Sequence, residues 1–245
     1  MTCRSLPVRA CFARQFRLWL LVSSSLLAAT GCQMAADTQN LQGVRLFQQG
    51  QYQPAMQQFQ AALRTDPKNA DATYNMAATM HRMGVQSRDQ AALQQAEQLY
   101  NQALDLDKQN ADAYRGLAVL LAETGRSEKA FTLMKNWANA QPNDANARVE
   151  LARLYQEFGD LETAKMHLNN AVMIDQYNYR AWAALGNIRE QTGDLDQALA
   201  NYQRSLNLNQ FQTNISQRVA ALNHSLQSNA ANATRTVTTP APVRY

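Results

Sequence analysis

The feature that most constrains this chain is a block that it repeats. Ala70-Asp71-Ala72-Thr73-Tyr74-Asn75-Met76-Ala77 returns as Ala111-Asp112-Ala113-Tyr114-Arg115-Gly116-Leu117-Ala118 and again as Ala145-Asn146-Ala147-Arg148-Val149-Glu150-Leu151-Ala152. A last echo is Tyr179-Arg180-Ala181-Trp182-Ala183-Ala184-Leu185-Gly186, and from residue 111 onward the copies stand about 34 residues apart. A unit that short cannot bury an apolar face alone, so neighbouring copies must stack to make a core. Charge then removes one class of partner. Arg4, Arg9, Arg14 and Arg17 precede the first acidic residue, Asp37, and without them 19 basic residues face 19 acidic ones. A neutral body lacks the basic footprint that holds a phosphate backbone, so nucleic acid is not an expected partner.

Within each copy the small and bulky residues keep fixed places. A small residue stands where a first helix would meet a second: Gly43, Ala77, Ala118, Ala152 and Gly186. A glycine follows that would end the first helix in a left-handed turn: Gly50, Gly84, Gly125, Gly159 and Gly193. A small residue opens the second helix at Ala55, Ala96, Ala130, Ala164 and Ala198, and four residues later stands a bulky one: Phe59, Tyr100, Met134, Leu168 and Tyr202. This arrangement resembles the tetratricopeptide repeat (TPR). The resemblance implies an all-α, right-handed solenoid of about five helix-turn-helix units (36–69, 70–110, 111–144, 145–178 and 179–212) in an array over 38–212. Unit two carries seven extra residues between Gly84 and Ala96, which two added turns at the start of its second helix would absorb. Ile215, Val219, Leu222 and Leu226 mark one face of a capping helix over 213–227. The Ser, Asn, Ala, Thr and Pro of 228–245 read as a disordered tail.

The N-terminus tells a different story. Its basic residues lead into an apolar run of about a dozen residues through Leu26-Leu27-Ala28-Ala29, too short to span a bilayer and suited to a signal peptide over 1–31. Ala29-Thr30-Gly31-Cys32 follows, and it resembles the lipobox of bacterial lipoproteins, with Ala29 where leucine is usual. The resemblance implies cleavage before Cys32, lipid on its thiol and amino group, and a location in the bacterial envelope, with the periplasmic face of the outer membrane favoured by Gln33. Residues 32–37 would form a short tether. The alternative is ordinary cleavage and a soluble periplasmic protein. The three cysteines, Cys3, Cys11 and Cys32, all lie in this region, which excludes a disulfide framework or cysteine zinc cluster in the body.

No catalytic constellation emerges. His81, His167 and His224 fall in different units, and the motifs of hydrolases, metalloproteases and nucleotide-binding loops are missing. The chain is therefore expected to be no enzyme, with no metal, no cofactor and no small-molecule substrate. The TPR resemblance implies instead a concave groove, lined by the first helix of each unit, that holds a protein or peptide. Carried over by position, the groove residues are Phe47, Tyr74, Asn75, His81, Arg82, Arg115, Val119, Val149, Arg153, Gln156, Asn187 and Glu190. Asn75 stands where the family often grips a peptide backbone, and Arg115 and Arg153 could pair with carboxylates. Asn40 and Val44 stand where chaperone-binding relatives need lysine and asparagine, so chaperone tails are not expected. A small TPR lipoprotein of this layout resembles the pilotin and pilus-assembly class. An adaptor or accessory subunit of an envelope enzyme is the alternative.

Overall fold

Asn69, Asp89, Asp144, Asp160 and Asn178 each turn a side-chain oxygen onto an early backbone amide of the helix that follows them. Such caps satisfy amides that the helix itself leaves open. They punctuate the computed structural model, which describes residues 33–237. The leader 1–31, Cys32 and the last stretch, 238–245, lie outside the described residues, and with them the readings of lipidation and of the tail's end. The helices are α1 (33–48), α2 (Tyr52–Thr65), α3 (Ala70–Ser87), α4 (Gln90–Leu106), α5 (Ala111–Glu123), α6 (Ser127–Ala140), α7 (Ala145–Glu157), α8 (Leu161–Ile174), α9 (Tyr179–Gln191), α10 (Leu195–Leu208) and α11 (Thr213–Val237). No strand occurs among the described residues, as the all-α reading requires. None of these helices is long and apolar enough to cross a membrane.

Four of the five turn glycines behave as the repeat pattern predicts. Gly50, Gly125, Gly159 and Gly193 have φ of 75°, 76°, 83° and 82°. Gly84 does not. Helix α3 runs straight through it to Ser87, and the left-handed residue is Arg88, with φ 55°. A Cβ on Gly84 would lie 3.0 Å from Leu93 Cδ2 and 3.2 Å from Leu93 N, so this glycine permits close packing of α3 on α4. The seven extra residues are therefore shared. The turn moves four residues along, to Arg88, and the remaining three lengthen α4 before Ala96. The predicted extension of the second helix alone is corrected to a hairpin lengthened on both arms. Because a non-glycine residue in the left-handed region is strained, Arg88→Gly is expected to stabilise the protein by about 0.5–1 kcal/mol, after the entropy cost of added glycine. Thermal unfolding of the full chain checks this, and an unchanged or lower midpoint counts against it.

The chain divides into two compact units, one up to Leu120 and one from Leu121. In the first, Phe59 and Tyr100 are buried large side chains, and neighbouring glycines make room for both. A Cβ on Gly43 would sit 2.5 Å from the Phe59 ring, and one on Gly116 2.5 Å from that of Tyr100. In the second unit, Val149, Ala152, Leu168, Ala171, Leu185 and Ile188 form a core across α7, α8 and α9. Ala198 and Tyr202 of α10 then meet Ile215 and Leu222 of α11, with Val219 beside them. Each of the larger apolar side chains contributes about 1.5–3 kcal/mol on burial, and that is what seats α11 as the cap.

Both ends of the array differ from expectation. The predicted tether is helix: α1 already includes residues 33–37, Ala36 is fully buried and Asp37 Oδ1 accepts from Asn69 Nδ2 at 3.1 Å. At the other end α11 continues to Val237, ten residues past the predicted boundary. Loss of apolar periodicity was the signal for that boundary. A helix stops, however, at a breaker or a cap, and neither Gly nor Pro follows until Pro240.

Candidate peptide-binding faces

In the first unit the opening helices bring polar side chains to one cleft of about 400 Å3. Asn40 comes from α1, Asp71, Tyr74 and Asn75 from α3, Asp107 and Asn110 from the α4–α5 turn, and Asp112 from the start of α5. Asn75 Nδ2 donates to Asn40 Oδ1 at 2.9 Å, so two amides from successive repeats are held side by side. The Tyr74 ring lies 6.1 Å from that of Tyr100. Burial, reinforced by the Asp112 carboxylate and opposed by Arg115, pushes the Tyr74 phenol above its ordinary range. It therefore stays a neutral hydrogen-bond donor through the physiological range. Arg115 Nη1 meets Asp112 Oδ1 at 2.9 Å on the same helix face. That pair leaves Asp71 and Asp107 to set the sign of the cleft, which is acidic.

The structure places the other predicted groove residues of this unit differently. His81 is buried, its Nδ1 3.3 Å from Tyr100 Oη and its ring edge-on to that tyrosine. It is an interior residue, not a groove residue, because Tyr100 fills the gap beside α3 and brings its hydroxyl to the imidazole. Phe47 packs on Tyr52 across the α1–α2 turn, ring centroids 5.4 Å apart, and does not line the cleft. Arg82 is exposed and Val119 half-buried.

In the second unit polar contacts link α7, α9, α10 and α11. Gln156 Nε2 donates to Asn187 Oδ1 at 2.6 Å, and Gln191 Nε2 donates to the same oxygen at 2.8 Å. Glu190 accepts from Tyr202 Oη at 2.8 Å and from Arg218 Nη1 at 3.0 Å. Burial, and with it the contact to Glu190, raises the Tyr202 phenol far above its usual range. Arg153 pairs with Glu157 at 3.3 Å and remains half exposed. Val149, expected as an exposed apolar contact, is buried at 6% in the core formed by α7, α8 and α9. Val149 packs inward because it belongs to one buried apolar cluster with Ala152, Leu168, Ala181 and Leu185.

Several residues escaped the sequence reading. Asp71, Asp107 and Asp112 line the first cleft. Glu150, whose side chain is 1% exposed, bonds Arg180 of the next repeat. A carboxylate at position 150, between Val149 and Leu151 of a mainly apolar stretch, was the available signal. No comparable signal marks Arg218, which meets a residue 28 positions away. Among the described residues no group of three or more His, Cys, Asp or Glu is arranged to hold a metal ion.

Comparison with known proteins addresses the fold. Residues 43–84 match a family described as TPR repeat. Residues 87–154, and again 145–178 and 179–212, match families described as tetratricopeptide repeat. No curated protein matches the chain. Among solved structures, a thermophilic TPR protein of Thermus thermophilus is 22% identical with a TM-score of 0.58, over 77% of this chain and 98% of that one. Pseudomonas aeruginosa pilF is 18% identical with a TM-score of 0.51, over 81% and 93%. Cut9 with Hcn1, from an APC/C hetero-tetramer, is 19% identical with a TM-score of 0.53, over 77% of this chain and 36% of that one. At these identities the likeness is one of fold. With repeat matches spanning most of residues 43–212 and helix pairs of the required form, the chain belongs to the tetratricopeptide-repeat family, whose fold serves as a protein–protein interaction scaffold.

Proposed function

We propose that this protein captures a polypeptide segment on the opening helices of its repeats, with the acidic cleft of the first unit as the point of engagement, and that it does so beside a bacterial membrane. The observation that carries the reading is the cleft itself. Paired amides at Asn40 and Asn75, a phenol at Tyr74 and the carboxylates Asp71 and Asp107 converge on one polar hollow. Amides satisfy a peptide backbone without regard to its sequence, and a tyrosine supplies contact area at low entropic cost. The carboxylates favour a segment carrying lysine or arginine. This reverses the expectation that Arg115 would draw a carboxylate, because Asp112 already occupies that guanidinium.

The membrane part rests on the sequence: the apolar leader and Cys32, whose acylation would hold the chain firmly with two or more lipid chains. Pilus or secretin assembly is the envelope process that the layout resembles, and the fold shared with pilF is compatible with it. Two measurements test these parts separately. A pull-down from native envelope with a photo-reactive residue at Tyr74 is expected to recover a pilus or secretin component. Recovery of an envelope hydrolase alone would replace that partner with the accessory-subunit reading. The double variant Asp71→Asn, Asp107→Asn should lower capture at least about tenfold, the equivalent of losing one or two charge-assisted contacts, with helix content unchanged. Undiminished capture by that variant removes the cleft from the proposal. Intact mass of the mature chain reads lipidation at Cys32, and an unmodified N-terminus decides for a soluble periplasmic protein.

A further inference from the structure

Helix α1 opens the array, so no earlier repeat covers its outer side. Its inner side is fully engaged. Ala36 is completely buried, Asn40 Oδ1 accepts from Asn75, and Gln39 Oε1 accepts from Thr65 Oγ1 at 3.2 Å. The Gly43 backbone lies directly against the Phe59 ring. On the outer side Met34 is 72% exposed and Leu41 59%, with Arg45 exposed one turn further along. At about 100° per residue these three fall within about 40° of one another, on the side opposite Ala36, Asn40 and Gly43. Asp37 is the one acidic residue of α1, and its Oδ1 is turned to Asn69 at the start of α3. The exposed stripe is therefore two long apolar side chains and a cation. Terminal repeats ordinarily show water a polar outer face, and this one does not.

The point where the described chain begins says what covers the stripe. Gln33 is its first residue, and the residue before it in sequence is Cys32. Met34 stands at most about 7 Å from Cys32 along the chain, the span of two extended residues. Leu41 follows about 10 Å further along the helix. Ala36 and Asp37 already fix the first turn of α1 to the rest of the repeat. Little slack is left to hold the stripe away from whatever Cys32 is attached to.

We propose that the side of α1 carrying Met34, Leu41 and Arg45 docks on a phospholipid bilayer, with the helix lying along its surface. The inference rests on the reading of Cys32 as the acylated residue, and adds an orientation that an anchor alone leaves open. A helix lying in the interface sinks its apolar side about 5–10 Å into the boundary between headgroups and acyl chains. Met34 and Leu41 are the side chains that enter. Arg45 lays its stem along the apolar boundary and carries its guanidinium to anionic headgroups. Asn40, which lines the acidic cleft, lies on the inner side of α1, so docking leaves it uncovered.

The cysteine count makes the test direct. From Cys32 onward the chain has no other cysteine, so with that thiol acylated an introduced one is the only free thiol. Leu41→Cys, and Gln102→Cys on α4 as the comparison, are each made in the full chain. Each is isolated after acylation, spin-labelled and placed in vesicles of phosphatidylethanolamine with phosphatidylglycerol. Relaxation by oxygen, which concentrates in lipid, relative to a water-soluble nickel chelate is expected to be severalfold higher at Leu41 than at Gln102. Adding Met34→Gln and Arg45→Gln to the Leu41→Cys chain should remove most of that difference while acylation and helix content hold. Intact mass is read on every sample. An unacylated Cys32 takes away the anchor and this proposal together. An acylated chain whose Leu41 label is as open to nickel as the Gln102 label overturns the proposal alone. Immersion that survives the two glutamine substitutions also overturns it, because the anchor and not the stripe would then draw α1 in. A Leu41 label shielded from both relaxants and broadened by a second label overturns it in favour of a second copy of the chain.

Discussion

Gly186→Leu is expected to cost the fold about 3 kcal/mol, at the upper end of what overpacking a well-filled core does. A Cβ at that position already falls 2.6 Å from Tyr202 Cδ1, 2.7 Å from Cε1 and 2.9 Å from Cγ. The obstructing atoms are the ring of a side chain 1% exposed, in one buried cluster with Ala198, Ile215 and Leu222. Alanine gives the sharper comparison. In an open helical site Gly→Ala gains about 1 kcal/mol from helix propensity, yet here the clash should reverse the sign, so Gly186→Ala loses stability. Gly193→Ala, with nothing within 4 Å of its Cβ but φ at +82°, should lose only about 1–2 kcal/mol from backbone strain. Urea unfolding of the three variants orders them. If Gly186→Ala proves as stable as the parent chain, then Tyr202 is not held as tightly as its burial implies.

The second large effect concerns the buried ion pair between Glu150 and Arg180, and it should be lopsided. Glu150 is 1% exposed at its side chain, whereas Arg180 is 37% exposed. Removing the arginine takes one counter-ion from a carboxylate that stays in the interior, and breaking a buried pair typically costs about 3–5 kcal/mol. Removing the carboxylate leaves an arginine that can swing into water. Arg180→Met is therefore expected to lose about 3 kcal/mol and Glu150→Gln no more than about 1–2 kcal/mol, since the amide keeps the volume and can still accept. A double-mutant cycle by denaturant unfolding measures the pair. Equal losses in the two single variants would mean that the other contacts of Glu150 hold its charge when the guanidinium goes.

The repeat architecture was legible because each of its parts is a local steric demand. The small residue at Gly186, the left-handed glycine at Gly193 and the bulky Tyr202 are fixed by contacts within one helical pair, so spacing alone finds them. Gly84 belongs to the same spacing and misled, since a glycine can serve a turn or a close contact and only the lengthened hairpin distinguishes them. The candidate sites were less legible, because which charges meet is a matter of tertiary distance. Arg115 with Asp112 could be seen at a spacing of three, but Arg218 with Glu190 could not. His81 and Val149 show the same limit from the other side. A helix face read by position assigns both to the groove, and the neighbouring Tyr100 and the core across α7, α8 and α9 take them inward.

The lengthened hairpin of α3 and α4 has a bearing on how such arrays tolerate change. At 3.6 residues per turn, four residues on one arm and three on the other each come close to a full revolution. The faces carrying Ala77 on one arm and Ala96 and Tyr100 on the other thus keep their azimuth while the tip rises by about 5–6 Å, the height of one coil. An insert of two residues on each arm would instead swing those faces to the opposite side and tear the stack apart. The tip around Arg88 is therefore a natural graft point: whole revolutions of foreign sequence can be spliced there, and the repeats beneath would not register the addition.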